Sequence, residues 1–308
     1  MQQLIRQPQI DFVKCLPCWA PNLEFAMTLN AFSITPAHLE PYIIRVFAKA
    51  RAQLDPVHDA DLIEELDWFC GQEGQHYHQH ALFNKVFQTP RYPEVEGLGR
   101  KFAADLKGFA RDRSLIFNLT YSEGFEAAGA VFYRTWFEKL GKYRFGAQDE
   151  ALRLYDWHFA EEFEHREVAY KLYMRIAAQG SLWRRIWYGY FYRIYGVLKM
   201  LSHSGQYSDA VRRHLLEIER AEMSAQEAAA SRRREKVFAR YLFWSTVRGL
   251  LAVLSPFYNP ARKAPPEGLS AVLRDFEVGG RFGRPKHPGG QHANELPSNG
   301  EGYTQLRR

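Results

Sequence analysis

Two stretches of the sequence place glutamate and histidine at the spacing of metal ligands on a helix. Glu73 and His76 are three residues apart, and Glu162 and His165 repeat this Glu-x-x-His spacing much later in the chain. Residues three and four positions apart lie on one face of a helix, so the side chains of each pair point the same way. One such pair arises often by chance, but two pairs on separate helices are typical of a site for two metal ions in a helical bundle.

Two further histidines continue these helical faces. His80 lies four residues after His76, and His158 lies four residues before Glu162. We predict that both take part in catalysis. The spacing leaves open whether each binds a metal directly or donates a hydrogen bond that orients a ligand carboxylate.

A pair of metal ions also requires carboxylates from the two remaining helices. Two divalent ions a few ångströms apart repel each other, so carboxylates must bridge and neutralise them, while imidazole suits iron, manganese or zinc. Glu40 is the only carboxylate of the first predicted helix before Asp55, and the third helix offers Glu123 and Glu126. Periodicity does not choose between those two. We expect two divalent metal ions as cofactors, with iron favoured over manganese and zinc.

The segments that carry these residues are predicted to be long helices. A first helix begins at Thr35-Pro36 or at Glu40-Pro41 and ends at Asp55-Pro56. The other helices are predicted over residues 59–88, over 98–140 as one helix or two, and over 149–178. Sparse β-branched residues and missing strand alternation argue against a sheet. The predicted fold is all-α, with a ferritin-like four-helix bundle core and additional C-terminal helices.

This pattern divides the chain into four predicted parts. They are an N-terminal arm (1–30), a di-metal four-helix core (31–180), a C-terminal helical region (181–278) and a disordered tail (279–308) rich in glycine and proline.

The C-terminal region is rich in aromatic residues and arginine, which permits two interpretations. Packing of residues 183–195 against the bundle is the favoured one, and peripheral membrane contact through 183–195 and 237–257 is the other. No uncharged apolar stretch of about 18 residues occurs, so we expect no membrane span.

The composition and the missing motifs exclude several classes of protein. Apolar residues make up 46% and charged residues 25%, as in globular proteins. A net charge of +6 is small for a nucleic-acid-binding protein. Three cysteines predict a reduced, cytoplasmic protein, and the CxxC of Cys15 and Cys18 has no second pair for zinc. The sequence has neither a Gly-x-Ser-x-Gly elbow nor a phosphate loop, which argues against serine hydrolysis and nucleotide binding.

Several motifs together resemble one bacterial family. They are Ser33 to Glu40, Gln72-Glu73-Gly74-Gln75-His76 with His80, Ser122-Glu123-Gly124-Phe125, and Trp157-His158 through Glu161-Glu162-Phe163-Glu164-His165. The sequence resembles the ferritin-like predicted metal-dependent hydrolases over roughly residues 30 to 275. It departs from that family at Leu39, where the family has glycine, and at Gly124, where the family has histidine.

The resemblance implies a ligand set and an activity. It favours Glu123 over Glu126 and implies the metal ligands Glu40, Glu73, His76, Glu123, Glu162 and His165. The implied function is metal-dependent hydrolysis of a small-molecule substrate, for which an apolar molecule is considered. One alternative is a di-iron oxidase or oxygenase acting on an apolar or lipid-like substrate. A non-enzyme alternative is a metal-storage or membrane-associated helical protein.

Overall fold

The computed structural model describes residues 4–279, which are mostly helical and contain no β-strand. The prediction of an all-α fold is therefore confirmed. The helices are α1 (Leu23–Arg51), α2 (Ala60–Asn84), α3 (Val95–Asp112), α4 (Leu115–Lys139), α5 (Gly141–Arg144), α6 (Asp149–His165), α7 (Val168–Tyr173), α8 (Leu182–Ile186), α9 (Arg193–Ala221), α10 (Ala225–Val253) and α11 (Leu269–Gly279). Two π-helical turns, Met174–Ala178 and Trp187–Tyr192, follow α7 and α8.

The first helix begins earlier than the sequence predicted. Asn22 caps α1 by accepting a hydrogen bond from the Phe25 backbone N–H, and both Pro36 and Pro41 lie inside the helix. Proline in a helix interior removes a backbone hydrogen bond and is normally a breaker. Here α1 packs along α2 and buries most of its length, and this packing maintains the helix through both prolines.

The later predicted segments are divided in the structure. The segment 98–140 contains two helices, because Ser114 caps a new helix by accepting from the Phe117 N–H. The segment 149–178 divides into α6, α7 and a π-helical turn. The predicted tail falls almost wholly on residues 280–308, which lie outside the described residues.

Four helices surround the interior in which the predicted ligands lie. Helix α1 contacts α2 and α4, and α6 contacts α2 and α4, so the four helices form a closed ring of contacts. Aromatic side chains fill much of the core on both sides of the ligands. The ferritin-like connectivity remains a prediction.

The C-terminal helices pack directly on this ring. Helix α9 lies against α1 and α4, and α10 lies against α4. A Cβ atom on Gly124 would come within 2.9 Å of the Val197 Cα, so the glycine permits the close approach of α9 to α4. This contact gives a physical reason for glycine at this position.

The aromatic segment after residue 181 does not pack as the favoured interpretation predicted. The side chains of Trp183 and Trp187 are 79% and 56% exposed. Within residues 4–279, no helix combines the length and hydropathy that crossing a membrane requires.

Candidate metal centre

Four helices each contribute one buried carboxylate to the same interior region. Glu40 comes from α1, Glu73 from α2, Glu126 from α4 and Glu162 from α6. Within residues 4–279 none of the four forms an ion pair with lysine or arginine; the ionisable partners of Glu40, Glu73 and Glu162 are histidines. Buried carboxylates without cationic partners are costly, so this cluster requires a positive charge that no arginine or lysine of these residues supplies.

Hydrogen bonds from the described residues do not stabilise most of the carboxylate oxygens of this cluster. Both oxygens of Glu40, Glu73 and Glu126, and one oxygen of Glu162, lack a hydrogen-bond partner among the described residues. Burial and the neighbouring Glu73 raise the pKa of Glu40 well above its usual range. Burial and Glu162 do the same to the pKa of Glu126. Four carboxylates match the charge of two divalent cations.

The ligand atoms form two adjoining groups of metal-binding size. One group contains Glu40, His76, His158 and Glu162, and the other contains Glu73, His76, Glu162 and His165. In each group the ligand atoms lie within 4.8 Å of one another. The two groups share His76 and Glu162, so both Glu-x-x-His pairs meet at one place. Their nitrogen and oxygen donors fit divalent iron, manganese or zinc.

Arg6 and Glu161, which lie outside the cluster, hold the Nε2 atom of His76. Arg6 donates to Glu161 Oε1 at 2.9 Å, and Glu161 Oε2 accepts from His76 Nε2 at 3.0 Å. Nε2 donates in this contact, and the Nδ1 atom faces Glu73 and Glu162 at 3.7 and 3.8 Å. Burial lowers the pKa of His76, but the adjacent carboxylates of Glu161 and Glu73 outweigh burial and raise this pKa well above its usual range.

The side-chain amide of Gln72 orients the ring of His165. Gln72 Nε2 donates to the Leu4 carbonyl at 2.8 Å, which fixes Gln72 Oε1 as the acceptor for His165 Nε2 at 2.6 Å. His165 Nδ1 then lies 2.7 Å from Glu73 Oε1, without hydrogen-bond geometry. A cation between these two atoms would remove the repulsion of their lone pairs.

A relay of hydrogen bonds sets the tautomers of the other two histidines. Asn84 donates through Nδ2 to the Ser33 carbonyl at 3.2 Å and accepts the Ser33 hydroxyl at 2.6 Å. The Ser33 oxygen must then accept from His80 Nδ1 at 2.7 Å. His80 Nε2 in turn accepts from His158 Nδ1 at 2.6 Å. His158 Nε2 lies 3.0 Å from Glu162 Oε1 with hydrogen-bond geometry, so it donates to this carboxylate unless a bound cation takes its place.

Burial disfavours the charged form of both of these histidines. It lowers the pKa of His80 well below its usual range, and the adjacent His158 lowers it further. Burial and the adjacent His76 also lower the pKa of His158. The spacing left open whether these histidines bind a metal directly or donate a hydrogen bond to a ligand carboxylate, and neither role needs a charged ring.

The two glutamates of α4 have different surroundings. Arg193 from α9 donates to Glu123 Oε1 at 2.9 Å and also bonds to the Val253 carbonyl. Glu123 is thus neutralised by arginine and belongs to neither ligand group. Glu126, one turn later, has both oxygens free and lies beside Glu162. The structure brings together five of the six predicted ligands and places Glu123 outside them.

Sequence reasoning missed several residues that support the site. Gln72 and Glu161 each adjoin a predicted ligand, so their position next to the motif was a usable signal. Arg6 lies far from the motifs in the chain and Ser33 begins the first of them, but the spacing gave no indication of the contacts that either residue makes. The predicted N-terminal arm thus reaches the centre through Arg6.

The two cysteines of the CxxC motif do not join the centre. Cys15 is buried and Cys18 is exposed, and both are free thiols. Burial raises the pKa of each thiol to about 12, with help from Glu150 at Cys15 and Glu219 at Cys18. The reactive thiolate is therefore disfavoured.

A cavity of about 350 Å³ reaches the centre from the side of α9 and α10. His158 and Glu162 lie among its lining residues. Most of the other lining side chains are apolar and include Phe32, Phe125, Phe132, Trp136, Phe159, Leu201, Phe238 and Leu242. Cavities of this size hold small organic ligands.

The sequence was also compared with known proteins. Residues 5–264 match the model of a protein family described as "Predicted metal-dependent hydrolase". The chain matches no curated protein and no solved structure.

Removal of divalent metal is expected to lower the melting temperature of the protein. An ion that binds only the folded state stabilises it by about 2.7 kcal/mol when present at about a hundredfold over its dissociation constant. Calorimetry before chelation, after chelation and after addition of Mn²⁺ or Zn²⁺ measures the effect. Sodium at equal ionic strength serves as the control and should not restore stability. An equal melting temperature in all conditions would contradict a metal centre.

Proposed function

Because the chain belongs to the predicted metal-dependent hydrolase family, we propose that its carboxylate cluster binds two divalent metal ions in a ferritin-like bundle and hydrolyses an ester or amide bond. The observation that carries this proposal is the set of four buried carboxylates without lysine or arginine partners in the described part of the chain. Two divalent ions, when bound, supply a water of lowered pKa and a charge that polarises the scissile carbonyl.

We assign the ligands as Glu40, Glu73, His76, Glu126, Glu162 and His165. This set differs from the predicted one at a single position, where Glu126 replaces Glu123. The free oxygens of Glu126 and the ion pair of Glu123 support the exchange. The arrangement resembles the carboxylate-rich sites of di-metal bundles, which take one glutamate from each of two helices and a Glu-x-x-His pair from each of two others.

His158 is assigned as the proton acceptor and His80 as the residue that positions it. His158 lines the cavity, its Nε2 atom faces Glu162, and its Nδ1 atom is hydrogen-bonded to His80. When a bound metal engages Glu162, Nε2 would be free to take a proton from water. The Nδ1 contact with His80, which Ser33 and Asn84 hold in turn, keeps the ring in this orientation.

The cavity supports an apolar small-molecule substrate. Its inner part meets Glu162 and His158, while phenylalanine side chains such as Phe32 and Phe159 surround that part. We propose that the hydrolysed bond lies at the carboxylates and that an apolar group of the substrate occupies the cavity. The alternatives based on O₂ chemistry or metal storage gain no support from the family match.

Replacing either motif histidine with alanine is expected to release metal. Each of His76→Ala and His165→Ala removes one nitrogen donor from the groups described above, so metal per chain should fall by about half or more. His78→Ala is the matched control, because His78 is exposed on the same helix. Elemental analysis with circular dichroism measures metal and helix content. Full metal content in both variants would refute the assignment.

The two glutamates of α4 provide a second test. Glu126→Gln is expected to reduce bound metal, because it removes a carboxylate that has no other partner. Glu123→Gln should keep the metal but lower the free energy of unfolding by about 3–5 kcal/mol, because Arg193 loses its buried partner. Metal analysis and urea denaturation separate the two effects. Loss of metal only in Glu123→Gln would restore the original prediction.

A third test fills the cavity. A Cβ atom on Gly205 meets nothing within 4 Å, and Gly205 lines the cavity, so Gly205→Phe should fill it without distorting α9. Hydrolysis of p-nitrophenyl octanoate should fall at least about tenfold relative to p-nitrophenyl acetate, since apolar burial of the longer chain is lost. Gly108→Phe, also in open space but in α3, is the control. Equal loss for both esters would contradict the cavity as the substrate site.

A further inference from the structure

The segment from α8 to the first turn of α9 exposes an unusual set of aromatic side chains. Trp183 and Trp187 are joined there by Phe191 and Tyr195, which are 53% and 48% exposed. Large exposed apolar areas normally mark an interaction surface. About half or more of each of these four side chains remains exposed in the described part of the chain.

Helix α10 adds a second exposed apolar row. Val237, Trp244 and Leu251 are exposed, and their spacing of seven residues places them on one face of the helix. Arg240 and Arg248 are exposed on the same face. The row therefore alternates large apolar side chains with arginines along about four turns of helix.

These two exposed regions lie at the same end of the α9–α10 pair. Arg193, in the first turn of α9, donates to the carbonyl of Val253 at the last turn of α10 at 2.8 Å. Val197 and Val253 also share an apolar cluster. The aromatic residues before α9 and the end of the α10 row are thus neighbours.

The charged side chains of both regions are all positive. The sequence contains no aspartate or glutamate from residue 168 to 208 or from 236 to 266. Arg185, Arg240 and Arg248 are exposed and have no ion-pair partner within residues 4–279. A surface of tryptophan, tyrosine and arginine without acidic residues is complementary to anionic lipid headgroups.

We propose that this surface, formed by residues 182–198 and the exposed row of α10, docks on an anionic lipid bilayer. The aromatic side chains enter the interfacial region, and the arginines contact lipid phosphates. A second copy of the chain is a poorer occupant, because a two-fold interface would place the same basic surface against itself.

The docking surface and the cavity share helices α9 and α10. Gly205 and Ser208 of α9 and Phe238 and Leu242 of α10 line the cavity, whereas the exposed row occupies another face of α10. Binding to lipid therefore does not rest on the proposed hydrolase function and does not need the metal centre.

Sedimentation with lipid vesicles tests the proposal on the full chain. We expect binding to vesicles of mixed phosphatidylglycerol and phosphatidylcholine, and weak or no binding to phosphatidylcholine alone. Arg185→Glu with Arg248→Glu should weaken binding about thirtyfold or more, since each basic residue at an anionic surface contributes about fivefold. Trp183→Ser with Trp187→Ser should weaken it as well, and high salt should weaken the arginine contribution.

The control reverses two charges outside the surface. Lys101 and Lys107 are exposed on α3, which carries no part of the surface. Lys101→Glu with Lys107→Glu changes the net charge equally and should retain most of the binding. Equal loss in this control, or no vesicle binding by the unaltered chain, would overturn the proposal. Self-association abolished by Trp183→Ser with Trp187→Ser would show an interface between copies instead.

The same samples separate this proposal from the hydrolase proposal. Vesicle binding should be unchanged in His76→Ala, which tests only the metal centre. Vesicle binding without ester hydrolysis would leave the docking surface intact and refute the enzyme assignment. Hydrolysis without vesicle binding would support the enzyme assignment and refute the docking surface.

Discussion

Four carboxylates meet inside the helical ring without an arginine or lysine beside them in the described part of the chain, and much of the surrounding structure follows from that crowding. Like charges at this distance in a protein interior repel strongly, and hydrogen bonds could soften the repulsion. The structure instead leaves most of the carboxylate oxygens unbonded. Ring nitrogens of His76, His158 and His165 face the same region. Both features favour a cation as the missing partner.

The orientation of the histidines depends on residues outside the ligand groups. Arg6 acts on His76 through Glu161, Gln72 holds His165, and Ser33 holds His80, which holds His158. In His76, His165 and His158 the contact occupies one ring nitrogen and the other faces the carboxylate cluster, whereas both ring nitrogens of His80 are hydrogen-bonded. Such contacts fix the tautomer of a metal-binding histidine and the direction of its ring. The N-terminal arm is therefore part of the centre although it contributes no ligand.

The C-terminal helices determine which carboxylates remain available. Arg193 of α9 neutralises Glu123, so that of two buried glutamates on α4 only Glu126 is left without a partner. The same helix, with α10, closes the cavity that reaches His158 and Glu162. The close packing at Gly124 makes this arrangement possible. The added helices thus influence both the charge and the access of the centre.

The sequence by itself determined the helical class, because helical periodicity is local. It also located the two Glu-x-x-His pairs and predicted that they meet, because two such pairs can share one metal site. It also predicted Glu40 as a ligand despite the prolines around it, and the structure places Glu40 beside His76, His158 and Glu162. It did not determine the start of α1, since Pro36 and Pro41 are breakers unless tertiary packing compensates for the lost hydrogen bond. It could not choose between Glu123 and Glu126, which are three residues apart on one face. Only the tertiary structure separated them, because the arginine that neutralises Glu123 comes from a helix some seventy residues away in the chain.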